Sequence, residues 1–240
     1  RNEGMDRNHN PEFTSLEFYE AYSDVYAMMD FTENLIRNTA SAVDSLCFTY
    51  EENTIDLKKK FQKKSMYELF YEYLEEDIKT IDIEVLKSIA KSKNINVDEK
   101  ANFGQLLDKI FGDIIEPNLI FPTFVYDYPA EISPLAKKKR DGDGVLVERF
   151  ELFICGMEFA NSFSEQNDPI EQRHKLMQQN SLKDAGDDEA QILDEDFIES
   201  MEAGMPPTGG VGIGVDRLVM LLTQKHSIKD VILFPALRSE

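Results

Sequence analysis

Hydrophobic and polar positions change period several times along the chain, and each change marks an element. Over residues 12–19 they alternate: Phe13, Ser15, Glu17 and Tyr19 share one face of a predicted strand, and Thr14, Leu16 and Phe18 share the other. One face is expected to join the core and the other to carry function-capable groups. From Tyr22 the period becomes helical, with Tyr22, Val25, Tyr26, Met29, Glu33 and Ile36 in register, Ser23 or Asp24 available as a cap, and an end near Ala42. Residues 54–113 are highly charged and free of proline, with short helical patterns over 66–79, 82–92 and 98–111 that only Gly104 and Gly112 interrupt. That texture predicts a helical insertion, not part of a sheet.

After Pro117 the run 119–126 is β-branched and aromatic, so strand structure resumes. Asp141-Gly-Asp-Gly144 marks a turn, and 145–154 and 157–163 read as two strands joined near Cys155-Gly156. Asp168-Pro169 with Glu171 combines a capping side chain, a first-turn proline and a first-turn acid, which starts a helix running to about residue 182. Another helix is expected over 194–203, closed by Gly204 and Pro206-Pro207. Residues 209–217 form a glycine-spaced strand, and 218–223 begin an apolar helix. No internal repeat is visible.

Composition narrows the class. With 240 residues and 42% hydrophobic content the chain can bury one substantial core. It has no apolar run of about eighteen residues and no signal-peptide pattern, so a cytoplasmic protein with no membrane partner is the default. Cys47 and Cys155 lack metal-ligand or redox spacing and are expected to be buried thiols in a reducing compartment. The net charge of -20, from 26 basic and 46 acidic residues, means that any grip on nucleic acid is expected elsewhere. Lys58, Lys59, Lys60, Lys63 and Lys64 could touch phosphates, although such runs are more often a solvated helix face. The opening Arg1-Asn2-Glu3-Gly4 lacks an initiator methionine, which suggests a longer polypeptide that has lost its beginning, by processing or otherwise.

Three constellations carry chemistry. Residues 1–19 place an arginine before a polar loop, then an aromatic ring, a carboxylate and a phenol on one strand face; a strand acid such as Glu17 alone is more often simply solvated. Glu151, Glu158, Asn161 and Glu165 cluster on neighbouring strands, where carboxylates repel unless cations sit between them; the alternative is an acidic rim. Glu158 and Asn161 have opposite strand parity, so a bulge or bend is required if both face one site, and Ser162 beside Asn161 suggests a lined pocket. Gly210, Gly212 and Gly214 clear one strand face for a flat ligand or phosphate chain ahead of Arg217, or else mark a bulge with a structural arginine.

Together these residues resemble the class II lysyl-tRNA synthetases. Arg1-Asn-Glu-Gly4, His9-Asn-Pro-Glu-Phe13 and Leu16-Glu-Phe-Tyr19 look like the second signature motif of that family, and Gly209-Gly-Val-Gly-Ile-Gly-Val-Asp-Arg217 looks like the third. Glu148-Arg-Phe-Glu-Leu-Phe153, Glu158-Phe-Ala-Asn161, Glu165-Gln-Asn-Asp168, Ala185-Gly-Asp-Asp-Glu189, Gly204-Met-Pro-Pro-Thr-Gly-Gly210 and Leu233-Phe-Pro-Ala236 also fit. The sets Phe13, Glu17, Tyr19 and Glu158, Asn161, Glu165 are what single out lysine.

The resemblance implies an α+β fold: a six-stranded-type antiparallel sheet flanked by helices, with the helical insertion at 54–113, residues 1–240 being a catalytic domain truncated at its amino end. It implies a lysine-tRNA ligase that activates L-lysine with ATP and transfers it to tRNA(Lys), with about two or three magnesium ions accompanying ATP, as a homodimer in the full-length parent. Arg1 would hold the α-phosphate, and Arg217 would meet the γ-phosphate and the adenine face, both as catalytic groups. Glu3, His9 and Asn10 would belong to a loop over ATP, Phe13 would stack on adenine, and Gly212 and Gly214 would border the nucleotide. Glu151 and Glu158 would bind magnesium, with Glu151 also in the ATP site. Glu17, Tyr19 and Glu165 would enclose lysine, with Glu17 or Glu165 pairing its ε-ammonium in a partly desolvated pocket and Asn161 assisting. Catalysis would rest on positioning and electrostatics.

The family's first signature motif, the strand before Arg1 and the oligonucleotide-binding barrel are missing from these residues, so the chain alone is not expected to sustain aminoacylation. Two rivals share part of the pattern: a lysyl-transferase paralogue that modifies a translation elongation factor, and a non-catalytic module that binds lysine or an adenylate.

Overall fold

The structure, a computed structural model, describes residues 4–50, 52–98, 101–142, 144–184 and 192–235. In chain order its elements are β1 (Ser15–Ala21), α1 (Val25–Ala42), β2 (Cys47–Tyr50), β3 (Asn53–Asp56), β4 (Gln62–Ser65), α2 (Met66–Leu74), α3 (Ile83–Ser92) and α4 (Phe103–Ile110), then β5 (Thr123–Pro129), β6 (Leu146–Ile154), β7 (Met157–Ser164), α5 (Pro169–Asp184), α6 (Glu195–Glu202), β8 (Thr208–Gly214) and α7 (Val215–Leu222). Local chemistry sets the helix starts. Asp24 accepts from the amides of Tyr26 and Ala27, and Ser65 with Glu68 and Asn102 with Gln105 form reciprocal capping boxes. Asp168 caps the first turn of α5 through the amides of Ile170 and Glu171, as the Asp-Pro pair predicts.

Six strands form one sheet in the order β1-β8-β7-β6-β5-β4, antiparallel throughout except for the parallel pair β4 and β5; β2 and β3 form a separate hairpin. The fold is α+β. One face of the sheet is closed by α1, α7 and the hairpin over Phe124, Phe150, Leu152, Ile154, Phe159, Val211 and Ile213. On the other face α2, α3 and α4 bury Val125, Tyr128, Val147 and Phe153. Those helices cover the β5 and β6 half and leave the β1, β8 and β7 half open. Leu176, Ile198 and Met201 form a small core between α5 and α6.

Five sequence expectations change. Residues 54–113 contain the three helices, but the segment opens with strand residues, and β4 joins the main sheet at its edge. The charged Lys63 and Lys64 masked that strand, since an edge strand tolerates lysines paired outward, here to Asp30 and Glu72. The lysine run is therefore a turn and a strand, not a helix face. Cys47 is exposed on the outer side of β2 and Cys155 is half-buried in the β6–β7 turn; both are free. Leu16, expected in the core, is exposed because α1 packs over β6, β7 and β8 and leaves the outermost strand uncovered, with Phe18 alone resting on Phe31 at 4.8 Å. Ser162 faces inward and donates to the Gly210 carbonyl at 2.6 Å, so it braces the sheet and lines no pocket.

Candidate active site

Strand register assembles the site. Gly212, in the middle of β8, lies opposite Glu17 on β1 and Asn161 on β7, and Asn161 lies opposite Glu151 on β6. Directly opposed residues in antiparallel strands point to the same face, so Glu17, Asn161 and Glu151 stand in one row across the open side. The adjacent row is Tyr19, Gly210, Phe163 and Arg149. On β7 the register slips: Leu152 pairs with Ala160 and Phe153 with Glu158, which leaves Phe159 as an extra residue. Phe159 and Ala160 both turn into the core, and Glu158 and Asn161 both turn outward. This is the bulge that their opposite parity demands.

A cavity of about 490 Å³ opens over these rows, within the size of small-molecule sites. His9, Asn10, Phe13, Glu17, Tyr19, Glu158, Asn161, Glu165, Gly212, Gly214 and Arg217 all border it. Arg1 and Glu3 lie outside the described residues, as do 185–189 of the quoted motifs and Ala236. Its bordering charges are Glu17, Glu158, Glu165 and Asp216 against Arg217, a strongly negative balance.

At one end stand Glu165, Tyr19 and Glu17. Burial pushes the Glu165 carboxyl up to about 7. The Tyr19 hydroxyl is also raised, by burial first and then by the negative charges of Glu165 and Glu17. Glu17 itself is exposed, so the desolvation expected there falls on Glu165. The glycines clear space as predicted, but at Gly210 side chains take it: a Cβ there would lie 2.0 Å from Glu165 Oε1 and 2.7 Å from Tyr19 Cδ1.

At the other end Arg217, in the first turn of α7, donates to the Glu158 carbonyl at 2.7 Å and to His9 Nε2 at 3.0 Å. A guanidinium has no lone pair to offer, so Nε2 is the acceptor and Nδ1 carries the proton toward Asp6 Oδ2, 2.8 Å away. Asp6 also takes the amides of Asn8 and His9, each at 2.7 Å, which fixes the loop that presents His9. Asn10 is buried and donates to the Glu12 carbonyl, while its Oδ1 has no partner among the described residues.

Glu151 does not border the cavity. It stands behind Asn161, accepting from Arg149, from Asn161 Nδ2 at 3.1 Å and from the Tyr128 hydroxyl at 2.8 Å. The sequence reading missed Arg149, Tyr128 and Glu116. Arg149 and Tyr128 sit on strands at positions that read as ordinary alternation. Glu116 lies just before Pro117 in a short 3₁₀ turn, and its carboxyl is pushed up to about 7 by burial and by the charges of Glu158 and Glu151. Its dependence on both carboxylates reveals that they share one neighbourhood.

The donor set fits magnesium arriving with a polyphosphate. Glu151 and Glu158 offer hard oxygens on the same face, and Mg2+ is usually held by one or two carboxylates plus phosphate oxygens. Among the described residues no group of three or more acidic, histidine or cysteine side chains is placed to hold a metal ion.

A carboxylate-lined cavity on the open half of an antiparallel sheet, floored by a glycine strand that leads into an arginine-bearing helix, defines a class II tRNA synthetase catalytic fold. Residues 1–238 match the family described as tRNA synthetases class II (D, K and N), and the chain belongs to that family. Among its relatives, the lysine–tRNA ligase of Trichormus variabilis is 53% identical over the whole of this chain and 43% of its own length. Those of Thermoanaerobacter pseudethanolicus and Christiangramia forsetii are each 48% identical, matched over 48% and 42% of their lengths. The chain thus spans less than half the length of these relatives. None of the helices among the described residues is long and apolar enough to cross a membrane.

Proposed function

We propose that the protein carrying this chain activates L-lysine with ATP and transfers it to tRNA(Lys), as a homodimer of the full-length polypeptide in the cytoplasm. The observation that carries the reading is the charge of the cavity: among the described residues that border it, Glu17, Glu158, Glu165 and Asp216 outnumber Arg217. A substrate must therefore bring positive charge to one end, and polyphosphate can enter the other only with a cation. Lysine and Mg-ATP meet both conditions, and relatives about 50% identical are lysine–tRNA ligases.

In the proposed reaction the lysine carboxylate oxygen bonds to the α-phosphorus of ATP and the bond to the bridging oxygen breaks, giving lysyl-adenylate and pyrophosphate. A ribose hydroxyl at the tRNA end then attacks the carbonyl carbon, and AMP leaves. Glu165 takes the ε-ammonium, with Tyr19, Glu17 and Asn161 completing its surroundings. Arg217 pairs with the γ-phosphate and adenine face, exchanging its His9 contact for the nucleotide. Phe13 stacks on adenine, and the unpaired Asn10 Oδ1 accepts a nucleotide N–H or O–H. Glu3 and Gly212 and Gly214 border ATP, and Arg1 holds the α-phosphate. Glu151 and Glu158 would hold magnesium, which would supply neutralisation of phosphate charge when bound. No protein nucleophile is needed.

The test is ATP–pyrophosphate exchange in the full-length protein, with each of the amino acids lysine, aspartate and asparagine supplied separately. Lysine-dependent exchange is expected. Exchange driven by aspartate or asparagine, or none with lysine, refutes the proposal.

A further inference from the structure

Arg149 is the one cation on the site face of β6, and it links Asn161, which borders the cavity, to Glu151 behind it. Its Nε donates to Asn161 Oδ1 at 3.2 Å, Nη1 donates to the Ile132 carbonyl at 2.9 Å and to Ser133 Oγ at 2.8 Å, and Nη2 donates to Glu151 Oε1. The guanidinium lies over the Tyr128 ring, 4.6 Å from its centroid, and the Tyr128 hydroxyl donates to the second oxygen of Glu151 at 2.8 Å. Asn161 closes the loop by donating Nδ2 to Glu151 Oε1 at 3.1 Å.

This closed ring has two consequences. The Asn161 amide cannot flip, because its oxygen faces a donor and its nitrogen faces an acceptor. One lone pair on Oδ1 and one N–H remain to meet a ligand, each in a fixed direction. Glu151 likewise has both oxygens engaged and keeps a single open acceptor direction, while Arg149 offsets the repulsion it feels from Glu116 and Glu158. Neither group can turn unless Arg149 turns.

We infer that Arg149, held flat on Tyr128, is the positioning residue that locks the metal-side carboxylate Glu151 and the substrate-side amide Asn161 into one unit. The inference rests on the lysine and magnesium roles proposed above and adds a coupling between them. Arg149 touches neither substrate; it sets the angles at which two other groups do. Lysine cannot replace it, since an ammonium lacks the planar fork that reaches Asn161, Ser133 and Glu151 together.

The experiment is lysine-dependent ATP–pyrophosphate exchange with the full-length protein, recording kcat, the lysine KM and the Mg2+ concentration at half-maximal rate. Arg149→Lys is expected to raise the lysine KM and the Mg2+ midpoint together, each about tenfold, as loss of a supporting hydrogen-bond partner does at metal sites. Tyr128→Phe removes only the hydroxyl on Glu151 and is expected to raise the Mg2+ midpoint about threefold with the lysine KM unmoved. A purely structural role would lower the melting temperature and kcat and leave both constants in place; that result, or movement of one constant alone in Arg149→Lys, overturns the inference. Should Arg149→Lys fail to fold, Ser133→Ala decides, because it removes an acceptor from Arg149 and leaves Glu151 and Asn161 intact: a joint rise of both constants supports the coupling, and movement of one alone or of neither overturns it. Failure of the functional reading shows separately, as absent exchange in the unaltered protein, and it removes the inference as well.

Discussion

Gly210 faces Glu165 so closely that a Cβ on the glycine would lie 2.0 Å from the carboxylate oxygen. The same Cβ would lie 2.7 Å from the Tyr19 ring, and both neighbours are side chains, Tyr19 an exposed one, so the fold can absorb the clash by turning Glu165 and Tyr19 away, but the pocket cannot. Gly210→Ala is expected to leave the melting temperature within a few degrees and raise the lysine KM about tenfold. A KM equal to that of the unaltered protein would mean that Glu165 does not hold the substrate.

Glu165 also makes binding proton-linked. Its carboxyl is raised to about 7 by burial, above its unfolded value, so the folded state holds the proton more tightly. The stability gained from this group is complete below the ordinary carboxylate pKa and is lost as pH rises through about 7. Binding a cation runs the other way, because it requires the carboxylate. The lysine dissociation constant should rise about tenfold per pH unit below neutrality, where lysine's own groups do not titrate. Calorimetry across that range with Glu165→Gln as comparison checks it; an equal slope in the variant would place the proton elsewhere.

The two carboxylates near the proposed ε-ammonium are unequal. Glu165 is desolvated and Glu17 is exposed, so a neutral amide should cost more at the first position. We expect lysine activation to fall about a hundredfold in Glu165→Gln and about tenfold or less in Glu17→Gln, since exposed pairs contribute little. Steady-state exchange kinetics that ranked the two in reverse would return the leading role to Glu17.

Glu151 and Glu158 should separate in a melting experiment. Glu151 neutralises the enclosed Arg149, and Glu151→Gln leaves that guanidinium without its counter-charge, a loss of about 3 kcal/mol. Glu158 is more open and pairs loosely with Arg217 at 3.7 Å, so Glu158→Gln should melt close to the unaltered protein while raising the magnesium requirement. Equal melting temperatures for the two variants would deny Glu151 its structural share.

What the sequence made legible follows from how local each signal is. The caps at Asp24 and Asp168, the β6–β7 turn and the glycine strand all appear where local chemistry puts them, because each depends on a few adjacent residues. The bulge at Phe159 was readable too, from the parity of Glu158 and Asn161 alone. β4 was not readable, since its short charged run is made a strand only by the neighbouring β5. Glu116 and Tyr128 escaped for the same reason, since what marks them is their nearness to Glu151 or Glu158 at sequence separations that no pattern encodes, whereas Arg149, two residues from Glu151 on one strand face, reads as an ordinary alternating position. Glu17 and Glu165 looked alike in the sequence and differ only through burial.

The place of β8 in the sheet also sets an order of events. β1 pairs with β8, and the two are separated in the chain by residues 22–207. At ordinary rates of translation the ribosome needs roughly 10–40 s to make that interval. Throughout it β1 lacks β8, its sheet partner among the described strands, and the glycines that Glu17 and Tyr19 register against are not yet made. The cavity's floor is therefore among the last parts of the sheet to be synthesised. A nascent chain that has not reached Gly214 lacks that floor, and it cannot yet hold a substrate there.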